Sequence, residues 1–215
     1  MKKYLVLLIF IYLASGASGQ KLKGGIEHSF AFDKVKESTS AVWYGWDFSH
    51  SSMRDLDKFQ EGELILGRHI PAILGRLESE YTAERVSRHL KKQVVFDPES
   101  VQDLYETMDS KKFIVKRYKE MSIDSVKSIV SSYSLPQSEG LGFVVIVEMM
   151  NAEKDLGRFI TGYLTFFDIK SREVFYSVRM KGLPGSKWGF EDYWFNGMTE
   201  LYAYFIKDFY GKQIK

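Results

Sequence analysis

Residues 142–150 read GFVVIVEMM, and this stretch constrains the chain more than any other. A strand that is apolar at nearly every position cannot leave one face in water. It should therefore be a central strand covered on both faces. Two more extended segments follow, residues 158–168 (RFITGYLTFFD) and 173–181 (EVFYSVRMK). The four residues between them, Ile169-Lys170-Ser171-Arg172, predict an antiparallel hairpin. A final helix is predicted over residues 191–210. Its stripe is Trp194, Met198, Leu201, Phe205 and Phe209, and Gly211 is placed to end it. Phe195, Tyr202 and Ile206 form a second set. They are expected to meet a neighbouring helix or a partner chain.

The first half alternates in the same way. Residues 41–48 (AVWYGWDF) read as a strand, after an irregular polar arm over residues 20–40. Residues 64–92 carry Leu66, Ile70, Ile73, Leu77 and Tyr81 at helical steps. Pro71 and Gly75 predict a break there, a short piece followed by a helix with Pro71 in its first turn. A short strand is expected at 94–97, and Asp97-Pro98-Glu99 should start a helix reaching about Met108. Residues 112–117 (KFIVKR) read as another strand, and Ser122 should cap a helix over 123–133. The fold class is α/β (α+β). One domain over 41–215 is expected, with a mixed sheet of five or six strands and helices packed on it.

Residues 1–19 are an address. Lys2 and Lys3 precede an apolar run of 11 residues, Tyr4 to Ala14, and Ala17-Ser18-Gly19 then offers a small-residue cleavage site before Gln20. Such a run spans about half a bilayer core at about 1.5 Å per residue, so it reads as a signal peptide rather than an anchor. The chain has no cysteine, which excludes a disulfide scaffold, a thiol nucleophile and a lipid anchor through cysteine. Without the leader, 28 basic residues face 28 acidic ones. A neutral chain has no bulk field for nucleic acid. A periplasmic or extracellular protein is expected, not a lipoprotein, with no integral membrane segment after signal removal.

Two resemblances attach to the second half. Asp168 closes a strand, a turn follows, and a returning strand leads to a closing helix. This order resembles bacterial envelope domains of the TolB amino-terminal and curli-secretion lipoprotein group, with Ser171-Arg172 where that group usually has Thr-Gly. The series Val145-Ile146-Val147-Glu148, Phe166-Phe167-Asp168-Ile169-Lys170, Gly182, Gly189-Phe190 and Tyr193-Trp194 is similar to small secreted proteins of the Bacteroides type. The second resemblance implies the fold and the compartment and carries no activity.

Few constellations could do chemistry. Asp47, Ser49 and His50 follow the first strand, where α/β sheets often place ligands. Neighbours on a strand alternate faces, so they do not converge as a triad, and no G-x-S-x-G elbow occurs. A polar turn is the simpler reading. His28, His50, His69 and His89 lack metal-ligand spacing and read as surface or cap residues. Gly182 to Lys187 lacks the phosphate-loop spacing. Arg85, Arg88, Lys91 and Lys92 read as a solvated basic helix end. Aromatic residues make up 15% of the chain, and Trp188, Phe190, Tyr193, Trp194 and Phe195 crowd into one short segment. That density suits a core, a protein interface or a glycan platform.

The residues favour a non-enzymatic envelope protein that binds another envelope component. A small-ligand or glycan-binding module using Asp47, Ser49, His50, Trp188, Phe190 or Tyr193 comes second. A hydrolase centred on Asp47, Ser49 and His50 comes third. No cofactor and no metal are expected. Self-association is allowed by the second stripe of the last helix.

Overall fold

A computed structural model of the chain describes residues 25–54, 61–185 and 189–214. The predicted signal peptide, the start of the predicted arm and Trp188 lie outside the described residues. Seven strands form one mixed sheet: β1 (Ile26–Ser29), β2 (Ser40–Asp47), β3 (Ser52–Arg54), β4 (Gln93–Phe96), β5 (Leu141–Asn151), β6 (Phe159–Asp168) and β7 (Val174–Gly182). Their order is β1-β7-β6-β5-β2-β4, and β3 pairs with β5 off that path. The strand at 142–150 is indeed central. Every residue of β5 is buried, with β6 antiparallel on one side and β2 and then β3 parallel on the other. The predicted hairpin is β6–β7, with Arg172 left-handed in its turn at φ 62°.

The helices are α1 (Phe32–Glu37), α2 (Gly62–Leu64), α3 (Ile70–Glu80), α4 (Ala83–Leu90), α5 (Glu99–Gln102), α6 (Ser110–Phe113), α7 (Ile123–Ser132), α8 (Phe190–Tyr204) and α9 (Gly211–Gln213). α3, α4 and α8 cover one face of the sheet, and α7 covers the other with α5 beside it. The fold class is the expected one.

Several expectations need correction. The arm at 20–40 holds β1 and α1, and β1 closes one edge of the sheet on β7, so the sheet has seven strands. Pro71 does lie in the first turn of a helix, α3, but a π-helical stretch, Ile65–His69, leads into it without a break, and the 64–92 segment breaks at Tyr81–Thr82, where Thr82 caps α4. Residues 112–117 are not a strand. α6 ends at Phe113, and only Ile114 bridges to Met53. Gly211 does not end the last helix. A second π-helical stretch, Phe205–Tyr210, leads into α9, and Gly211 is right-handed with its N–H on the Ile206 carbonyl.

The aromatic strand β2 owes its burial to a bulge. Trp43 pairs with Phe143 but Trp46 pairs with Val145, so β2 carries one extra residue there. Gly45 takes φ +78° in that bulge, and a Cβ would stand 2.7 Å from Gln102 Oε1. Without the bulge, Trp43 and Trp46 would face opposite sides. With it, both join the α3/α4/α8 core, 6.5 Å apart, while Tyr44 joins the α7 core.

The closing helix uses its predicted stripe. Trp194, Met198, Leu201 and Phe205 are buried on the sheet, and Phe209 packs partly buried beside them. Of the second set, Tyr202 is a core residue, its ring 4.5 Å from Tyr81 and 6.4 Å from both Trp43 and Trp46. It meets neighbouring helices within this chain.

Candidate functional site

The turn after β2 is built by Asp47. This side chain is fully buried, and its two oxygens accept the Ser49 N–H at 2.7 Å and the Tyr133 hydroxyl at 2.5 Å. The carboxylate therefore shapes the turn and fastens the end of α7 to the sheet. Burial, then the Asp47 charge, pushes the Tyr133 hydroxyl well above its usual range. Ser51 closes the turn on the Phe48 carbonyl. Ser49 is half-buried, and its Oγ has no partner among the described residues. His50 is exposed at the tip. The three residues are brought close in sequence order but not onto one reacting point. No hydrogen bond joins Ser49 to His50 among the described residues.

The start of α8 is a different kind of surface. Glu191 accepts from His69 Nδ1 at 2.6 Å, and Asp192 accepts from Arg76 at 2.6 Å. Two adjacent acids on α8 thus bond to His69 and Arg76, seven residues apart on the α3 side. The His69 hydrogen bond holds the Glu191 carboxyl below the usual range. Phe190 stacks on His69 at 4.5 Å, and Arg76 lies 4.3 Å over the Phe195 ring. Trp194 is buried beneath, edge-on to Tyr193 at 5.1 Å. Phe190, Tyr193 and Phe195 remain half-exposed.

Two of the histidines depart from the expected surface or cap roles, whereas His50 is exposed as expected. His69 is buried in the pair with Glu191. His89 is half-buried, 5.6 Å from Tyr202, and burial, then Arg85 and Arg88, lowers its pKa. The basic helix end departs too, because Lys92 is buried and its ammonium donates to the Ser38 carbonyl. Among the described residues, no cluster of three His, Asp or Glu could hold a metal ion, and no helix is long and apolar enough to cross a membrane.

Sequence reasoning missed Glu148. It is buried in β5 and accepts from the Met121 N–H at 2.6 Å, the Tyr118 hydroxyl at 3.1 Å and Arg179 Nε at 2.8 Å. Burial pushes its carboxyl up to about 7, while the Met121 N–H works the other way. The group pins the connection before α7 over the second sheet face. Its one signal was an acid inside an apolar run. Its partner on β7 became identifiable only through the register, Ile146 to Tyr163 to Arg179.

Two open clefts lie elsewhere. One of about 590 Å³ sits between Tyr81, Arg85 and the Asn196–Glu200 side of α8. The other, of about 420 Å³, is bounded by Lys36, Lys92 and Ile214. Neither is lined by Asp47, Ser49, His50, Phe190 or Tyr193. Compared with known proteins, the chain matches no family model, no curated protein and no solved structure.

Proposed function

We propose that this chain is a non-enzymatic protein of the periplasm or cell exterior that binds another envelope protein through the start of α8. The observation that carries the reading is the pair of contacts, His69 to Glu191 and Arg76 to Asp192, that fasten the start of α8 to the α3 side. They hold the half-exposed Phe190, Tyr193 and Phe195 beside the exposed Arg76. Aromatic residues and arginine dominate binding hot spots, and fixing them beforehand lowers the ordering cost of association. The leader sequence and the likeness to secreted and envelope domains support the compartment.

The test is site-specific photo-crosslinking in the native host. A photoreactive residue at Tyr193 should give a discrete adduct that the same probe at Glu84 on α4 does not. Tyr193→Ala and Phe190→Ala should abolish capture of that partner by the mature protein while leaving the far-UV circular dichroism unchanged. Equal capture by wild type and both variants would refute the assignment of this surface.

A further inference from the structure

We propose that the cleft formed by the end of α1, the turn after α4 and the last helical turns binds a small amphiphilic anion. Its carboxylate or phosphate would lie among the Lys36, Lys91 and Lys92 ammonium groups, and its apolar part on Ile214 and the lysine methylene chains. This site stands apart from the α8 surface and does not rest on it.

The local backbone explains how the cations gather. α4 ends with Lys91 in the left-handed region at φ 54°, a position where glycine is usual. The turn sends the next residue inward, and the Lys92 N–H reaches the Ser87 carbonyl at 3.3 Å. Lys92 is left only 8% exposed. Its ammonium donates to the carbonyl of Ser38, the residue that ends α1. An ammonium carries three donors. Here one carbonyl accepts, and no carboxylate lines the cleft among the described residues. A buried charge without a counter-charge is costly, and burial accordingly lowers the Lys92 pKa.

The neighbours do not neutralise it. Lys36 has Asp33 at 3.6 Å, but that carboxylate is 88% exposed and does not line the cleft. The Leu90 carbonyl accepts from the Tyr210 hydroxyl at 2.9 Å. Gln213 adds an amide at the rim, held by Glu27 at 3.1 Å. Lys36, Lys91 and Lys92 thus line a cavity of about 420 Å³ together with Gln213 and Ile214, over a floor of almost wholly buried Leu90 and Tyr210, so its apolar wall is Ile214 and the lysine methylene chains. That size falls within the usual range for small-ligand sites, about 300–1,000 Å³. A bare inorganic ion would leave the apolar wall unused, whereas an anion bearing a ring or short chain covers both parts.

Isothermal titration of the mature protein with phenyl phosphate, benzoate, phenol and inorganic phosphate tests the proposal. Phenyl phosphate and benzoate should bind saturably, and phenol should not. Lys36→Ala/Lys91→Ala, which changes two surface side chains, should weaken both at least tenfold with an unchanged melting profile. Ile214→Asn should weaken phenyl phosphate more than inorganic phosphate. Absence of saturable binding at millimolar ligand, or binding unaltered by the lysine variant, would overturn the site. Inorganic phosphate binding as tightly as phenyl phosphate would overturn the amphiphilic class.

Discussion

The Tyr133 hydroxyl donates to the Asp47 carboxylate at 2.5 Å, joining the C-terminal end of β2 to the end of α7 across the second face of the sheet. Both side chains are buried. Removing one partner of such a bond leaves the other desolvated and unsatisfied. Tyr133→Phe should therefore cost about 1.5–3 kcal/mol in urea unfolding. Combined with Asp47→Asn, the losses should be non-additive. A Tyr133→Phe protein as stable as wild type would show that this bond does not hold α7.

Tyr202 sits among Tyr81, Trp43 and Trp46 rather than at an outer surface. Tyr202→Ala should cost about 3–5 kcal/mol, like Phe205→Ala, through the cavity it leaves. For a chain of this size that is a fall in Tm on the order of 10 °C. The Tyr202 hydroxyl has no partner among the described residues, so Tyr202→Phe should be neutral or stabilising. Thermal melts of the three variants check this. A marked loss from Tyr202→Phe would reveal a partner for that hydroxyl.

Glu148 makes stability depend on pH in a particular direction. Its ordinary value of 4.5 is raised by burial to about 7 in the folded protein. The folded state therefore binds the proton more tightly, and stability contributed by this residue declines as pH rises from about 4.5 through 7. Arg179 at 2.8 Å opposes the change and reduces its size. Relative to Glu148→Gln, wild-type stability should fall by at most about 3 kcal/mol between pH 4.5 and 7.5. Urea titrations across that range decide it. A relative gain with rising pH would mean that the Arg179 contact outweighs desolvation.

Export should be visible in the mass of the protein. Lys2, Lys3, the following apolar run and Ala17-Ser18-Gly19 predict a mature N-terminus at or near Gln20. Intact mass spectrometry from the native host reads this directly. Soluble cytoplasmic protein retaining Met1 would contradict it.

Local periodicity made much of the fold legible. The apolar run around Val145, the β6–β7 hairpin and the Trp194–Met198–Leu201–Phe205 stripe each follow from spacing within one segment. Ser122 capping α7 through the Ser125 N–H is equally local. The candidate surface was legible in part. Phe190 and Tyr193 stood out as an aromatic cluster, but His69 and Arg76, which hold it, are more than 100 residues away. Residues 112–117 misled for the complementary reason. Their short run of β-branched and aromatic residues suits a strand, yet the contact with β3 is a single bridge, Ile114 to Met53, with the Val115 N–H on the Met53 carbonyl.

By itself, the order of residues determined where strands and helices could form and which faces had to be apolar, because those properties repeat at two or 3.6 residues within a single element. Tertiary structure alone decided the rest. The Gly45 bulge put Trp43 and Trp46 on one face, register set Arg179 beside Glu148, and the left-handed turn at Lys91 turned Lys92 inward. Each of these depends on how far one segment is shifted against another. A shift of a single residue exchanges the buried and exposed sides of a strand, and no short-range pattern records that offset.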